Sequence, residues 1–152
     1  MTNILLITSS PRGDASYSTQ VATEVVRDLQ DLHPDAVVTS RDLARSPLPH
    51  IDEGFVAALA LAPAARSAEQ SAQIARSDAL IDELAGADIL VIASPMYNFG
   101  LPSTLKAWRS HLSRRPHVPL FRNRSARPAR WQTSDSRAIP WWCLFQWTGK
   151  RA

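Results

Sequence analysis

Hydroxyl side chains crowd into one short stretch near the start of the chain, Thr8-Ser9-Ser10-Pro11-Arg12-Gly13-Asp14-Ala15-Ser16-Tyr17-Ser18. Ser and Thr hydroxyls beside the free N–H groups of a helix N-terminus form an uncharged cradle for a phosphate. Only Gly13 breaks the stretch, so it matches neither G-x-G-x-x-G nor the P-loop that ends in Gly-Lys-Ser/Thr. A pyrophosphate or a triphosphate would want those glycines or a lysine, whereas hydroxyls and amides alone can hold a terminal monophosphate. The plain alternative is a loop of turns and caps, and Arg12 is expected to stand in solvent. A second stretch, Ala93-Ser94-Pro95-Met96-Tyr97-Asn98-Phe99-Gly100-Leu101-Pro102, mixes aromatic, amide and turn residues. Met96, Tyr97 and Phe99 offer an apolar surface to a flat ring, and Asn98 with the backbone amides can meet that ring's polar edge. Alternatively, the same three side chains fill the core at a helix entry.

Other chemistries find little support. The four histidines, His33, His50, His111 and His117, show no H-x-x-x-H or H-E-x-x-H spacing, and no metal is expected. His50 sits in the Pro-rich loop Ser46-Pro47-Leu48-Pro49-His50-Ile51-Asp52 and reads as structural. Cys143 is the sole cysteine, which excludes an intramolecular disulfide or a multi-cysteine metal site and suits a reducing compartment; cytoplasm is the expectation. The apolar runs Ile89 to Ala93 and Trp141 to Phe145 fall far short of the ~20 residues of a membrane span. Met1-Thr2-Asn3 lacks a basic region and Ile4 to Ile7 is too short for a signal peptide, so none is expected.

The elements that must position the two stretches are legible in the hydrophobic pattern. Asn3 to Ile7 and Ala87 to Ala93 are apolar without alternation, as expected for parallel strands covered on both faces. Val21, Ala22, Val25, Val26, Leu29 and Leu32 recur at helical spacing between Tyr17 and Leu32; Ser16 or Ser18 can cap this helix and His33-Pro34 ends it. Ala36 to Leu43 reads as another strand, Gly54 to Leu61 and Ala65 to Leu84 as Ala-rich helices, and Leu101 to about Trp108 as the start of a further helix. Strands alternating with helices predict an α/β fold with a parallel sheet. At 152 residues the chain can bury roughly 70% of its unfolded surface and needs no staples. Ligands of such sheets bind beyond the carboxyl ends of the strands, where strand order reverses.

Both chemical stretches follow strands, and here a family resemblance becomes specific. Ser9-Ser10-Pro11-Arg12-Gly13 with Ser16-Tyr17-Ser18, then Pro47-Leu48-Pro49-His50-Ile51-Asp52, then Ser94-Pro95-Met96-Tyr97-Asn98-Phe99-Gly100-Leu101-Pro102-Ser103-Thr104-Leu105-Lys106-Ala107-Trp108, resemble the FMN-dependent NADH-azoreductases. These belong to the flavodoxin-like NAD(P)H:quinone oxidoreductases. The resemblance implies a flavodoxin-like doubly wound parallel sheet, FMN as cofactor, NADH or NADPH as hydride donor, a homodimer, and quinone or azo substrates reduced in two hydride-transfer steps. It implies that Ser10, Ser16, Tyr17 and Ser18 hold the phosphate and ribityl side of FMN. Met96, Tyr97, Asn98 and Phe99 would line its ring. The flavin carries the chemistry, so no catalytic side chain is assigned. A flavodoxin-like electron carrier fits less well, because such carriers tend to be strongly acidic.

The resemblance covers residues 1–108, read as the N-terminal part of an FMN-binding domain. Residues 109–152 read as a basic Arg/Pro/Trp-rich tail. Residues 1–108 hold seven Lys/Arg against 13 Asp/Glu, a net charge of −6, whereas 109–152 hold ten against Asp135 alone, a net charge of +9. Four of the five tryptophans also lie in the tail. The family continues with a helix, two strands and a Ser-Arg-Gly-Gly turn on the flavin; Ser134-Asp135-Ser136-Arg137 lacks both glycines and takes no such role. Codons for Arg109 to Arg122, shifted by one nucleotide, can spell Asp-His-Ile-Cys-Arg-Ala-Gly-Arg-Thr-Phe-Arg-Tyr-Ser, which is similar to the family's continuation. The tail therefore reads as a frame shift, and the sheet as incomplete, its last strands missing or replaced by an irregular segment. An exposed edge on the third strand would follow, with Trp131, Trp141, Trp142, Phe145 and Trp147 as patternless apolar cover, a poorly ordered tail and weak FMN binding. An inactive family member is thus one alternative. Polyanion binding through the tail is another, nonspecific in character, since no RRM, KH or zinc pattern supports specific nucleic-acid recognition.

Overall fold

A computed structural model describes residues 1–113 and, as backbone, 144–148. Strands β1 (Asn3–Thr8), β2 (Val37–Asp42) and β3 (Ile89–Ala93) alternate with helices α1 (Tyr17–Leu32), α2 (Glu53–Ala60), α3 (Ala68–Gly86) and α4 (Ser103–Leu112), and a fourth strand, β4 (Leu144–Thr148), follows. The sheet order is β2-β1-β3-β4. β1 pairs in parallel with β2 on one side and with β3 on the other, Thr8 standing opposite both Asp42 and Ala93. The chain therefore builds outward to β2 and crosses back over β1 to reach β3, which puts the reversal of strand order between β1 and β3.

The absence of alternation in β1 has a direct cause. Successive residues point to opposite faces of a strand, and both faces are covered. Ile4 and Leu6, with Ile89, Val91 and Ala93, pack against Ala22, Val26 and Leu29 of α1. Leu5, Ile7 and Leu90 pack on the other side against Leu80, Ile81 and Leu84 of α3 and Leu105, Trp108 and Leu112 of α4. Helices on both faces of a parallel sheet are the doubly wound arrangement expected. A small satellite of Phe55, Ala58 and Ile74 joins α2 to α3.

Local chemistry explains where the boundaries differ from those read in the sequence. α1 spans Tyr17–Leu32 as read. α3 begins at Ala68 rather than Ala65 because Ser67 and Gln70 form a reciprocal capping box, the Gln70 N–H donating to Ser67 Oγ at 3.2 Å and the Ser67 N–H to Gln70 Oε1 at 3.0 Å. Pro63 to Ala65 instead form one 3-10 turn. His50 is exposed, and the histidine with a structural role is His111, whose buried Nε2–H donates to the Pro49 carbonyl at 2.9 Å and so ties the Pro-rich loop to α4.

Two parts of the tail read as irregular are regular. α4 continues past Trp108 to Leu112, whose side chain is fully buried. Leu144–Thr148 pairs antiparallel with β3, Ala93 opposite Leu144 and Ile89 opposite Thr148. The expectation of an open β3 edge is corrected by that pairing: an unpaired edge presents a row of N–H and C=O groups that any extended segment can satisfy. Trp131, Trp141, Trp142, Cys143, His117 and Ser134 to Arg137 lie outside the described residues, and with them the expectation of a poorly ordered tail. No helix among the described residues is long and apolar enough to cross a membrane.

Candidate functional site

The loop from β1 to α1 turns three times in eight residues. The Gly13 N–H bonds the Ser10 carbonyl at 3.1 Å, the Ala15 N–H that of Arg12 at 3.2 Å, and the Ser16 N–H that of Gly13 at 3.1 Å. Gly13 has φ +54°, a left-handed conformation that glycine adopts without a Cβ penalty. Ser10 and Ser16 stand at the two ends of these turns. Both are buried, and the Oγ atoms of Ser16 and Ser18 lie 3.0 Å apart. Ser16 is the N-cap by position, yet its hydroxyl makes no capping bond. The first-turn N–H groups of a helix have no intrahelical partner, so uncharged donors and the positive end of a 16-residue helix dipole gather at one point. Tyr17, by contrast, is 75% exposed, and Arg12 stands in solvent as read.

The loop from β3 to α4 holds a two-residue hairpin. Tyr97 and Gly100 exchange backbone hydrogen bonds, Tyr97 N–H to Gly100 O at 3.0 Å and Gly100 N–H to Tyr97 O at 2.9 Å. Asn98 and Phe99 at its tip have φ of 48° and 58°. Positive φ at both central positions is the type I′ turn, normally Asn-Gly. Phe in that conformation costs about 1–2 kcal/mol. The turn holds Phe99 96% exposed, with Met96, Tyr97 and Leu101 each a little under half exposed. The plain alternative, that Met96, Tyr97 and Phe99 fill the core at a helix entry, is not what is observed. Lys106 Nζ lies against the turn, 3.8 Å from where a Cβ on Gly100 would stand.

The two loops leave the same carboxyl ends of adjacent parallel strands, at the point where strand order reverses. A direct bond joins them: buried Ser9 donates its hydroxyl to the Ala93 carbonyl at 3.0 Å. Ser10, Ser16 and Ser18 thus belong to the loop and first helical turn after β1, and Met96, Tyr97, Asn98 and Phe99 to the loop after β3. Ser9 was not singled out by sequence reasoning; its signal was a small hydroxyl directly after a buried strand. A groove of about 280 Å³ also runs beside α1, lined by Asp14, Thr19, Gln20, Thr23, Glu24 and Arg27. With no aromatic or aliphatic wall it offers nothing to a flat ring. Among the described residues no cluster of His, Cys, Asp and Glu could hold a metal.

Known proteins resemble this chain in sequence and in fold. The chain is 45% identical over 114 residues to an FMN-dependent NADH:quinone oxidoreductase of Rhizobium johnstonii, covering 75% of this chain and 55% of the relative. It is 46% identical over 114 residues to one from a Nostoc species, with the same coverage. Among solved structures, an azoreductase from Bacillus anthracis superposes with a TM-score of 0.65 at 22% identity, over 74% of this chain and 55% of that one. The chain spans about half the length of the curated relatives it matches. Residues 2–124 match Flavodoxin_2, described as a flavodoxin-like fold, and with β1 and β3 side by side at the switch point the chain belongs to that family.

Proposed function

We propose that residues 1–113 are the phosphate- and ring-seating part of an FMN-dependent NAD(P)H oxidoreductase that reduces quinones and azo compounds, acting in the cytoplasm as a homodimer. What supports this reading is that two chemically dissimilar loops, each taken as one wall of the site, leave adjacent strand ends at the switch point and are joined by the Ser9 hydroxyl and the Ala93 carbonyl. Ser10, Ser16, Tyr17 and Ser18 supply hydroxyls and first-turn N–H groups to the phosphate and ribityl side. That donor set is uncharged and preorganised at a helix N-terminus, which suits a monophosphate dianion. Met96, Tyr97, Asn98 and Phe99 take the ring, the exposed aromatic and thioether surface losing water on contact and Asn98 meeting a polar edge. Bound there, FMN would supply hydride-transfer chemistry between NAD(P)H and a quinone or azo substrate. The chain's own residues bind, orient and exclude water, and none is assigned a proton-transfer role.

Flavin fluorescence titration tests this. FMN is expected to bind weakly but at least about tenfold more tightly than riboflavin, a difference of ~1.4 kcal/mol from the phosphate alone. Equal affinity for the two flavins, or none for either, overturns the assignment.

We also propose that residues 109–152 derive from a frame shift. The net charge changes from −6 to +9 across Trp108, acidic residues all but vanish, and the shifted reading resembles the family. The coding DNA is expected to spell that continuation in the neighbouring frame; a gene without it refutes the proposal.

A further inference from the structure

We propose that Ser9 is a positioning residue that holds the two walls of the site at a fixed separation, an inference that rests on the flavin reading above. The parallel ladder between β1 and β3 ends at Thr8 opposite Ala93. Beyond it the chains diverge, one into the turns that carry Ser10 to Ser18, the other into Ser94 to Gly100. The Ser9 hydroxyl adds one further rung, a side-chain bond of 3.0 Å to the carbonyl of the last β3 residue, across 84 positions of sequence. Ser9 is 1% exposed, so water does not compete for either partner. Its geometry matters because of what adjoins it. Ser10, the first cradle hydroxyl, is the next residue on one side; the carbonyl that Ser9 holds belongs to the peptide leading into Ser94 and the Met96–Phe99 wall. A ligand that reaches from cradle to wall is sensitive to this separation, whereas one that fills the cradle alone is not.

The test compares Ser9→Ala and Ser9→Thr in the full chain. FMN affinity is read by fluorescence, inorganic phosphate binding by the amide shifts of Tyr17 and Ser18, and amide exchange is followed in the flavin-free protein. Ser9→Ala is expected to weaken FMN roughly tenfold, to leave phosphate affinity within about twofold, and to speed exchange in both 10–16 and 94–100, since the bond's removal frees both partners. Ser9→Thr, which keeps the hydroxyl, is expected to restore FMN binding and exchange protection. Parallel loss of phosphate and FMN, or faster exchange confined to residues around Ser9, would mean that Ser9 only shapes its own loop and would overturn the inference. Exchange coupling between the loops in a chain that binds no FMN would leave the tie standing and refute the flavin reading instead.

Discussion

Ser16→Asp is expected to weaken FMN binding by roughly a thousandfold, because a carboxylate near 4 Å from a phosphate repels it by about 4 kcal/mol at the effective dielectric of a protein surface. Few substitutions separate binding from folding so cleanly. Asp and Ser are equally good N-caps, and a negative charge at the first turn favours the α1 dipole by about 0.3–1 kcal/mol. The carboxylate also inherits a donor, the Ser18 hydroxyl that now lies 3.0 Å from Ser16 Oγ. The unfolding temperature should therefore stay within about 2 °C of the parent's. Riboflavin, which has no phosphate to repel, should lose less than about threefold, since the repulsive partner is absent. Titrations of both flavins against both proteins, with a thermal melt of each, read the whole prediction. Equal loss of the two flavins would place the phosphate somewhere other than the start of α1.

How much of this site could be read beforehand depends on the range of the interaction. The buried faces of β1 and β3 are legible because coverage on both sides removes the polar alternation, and α1 because an apolar stripe sits between a serine cap and His33-Pro34. The two loops are located by the order of strand, loop and helix alone. What sequence pattern does not reveal is contact at a distance. The Ser9 bond spans 84 positions and the His111 bond to Pro49 spans 62, and neither leaves a local period. The pairing of Leu144–Thr148 with β3 is likewise a matter of backbone meeting an available edge, to which side-chain pattern is nearly blind. The hairpin at Asn98-Phe99 was hidden for another reason. Its turn type is signalled by glycine at the second position, and phenylalanine stands there instead.

That misplaced phenylalanine leads to the second large effect, in which stability and binding move in opposite directions. Phe99→Gly is expected to raise stability by about 1 kcal/mol, the left-handed strain of a bulky residue being relieved at some cost in chain entropy. Little side-chain packing is lost, because the Phe99 ring is 96% exposed. The same change removes apolar surface from the ring wall. A contact of ~80–100 Å² at 25 cal/mol per Å² is worth about 2–2.5 kcal/mol, so FMN affinity should fall roughly thirty- to seventyfold. Phe99→Ala is the control: it deletes the ring but keeps the strained φ, and should lose the same affinity without the gain in stability. Urea unfolding and flavin titration of the three proteins decide the matter. A Phe99→Gly chain that is less stable, or that binds FMN as the parent does, would mean that the turn holds this side chain outward for some purpose other than the flavin. If instead stability rises as affinity falls, the energy stored at φ 58° is what keeps an aromatic ring in water until a ligand covers it.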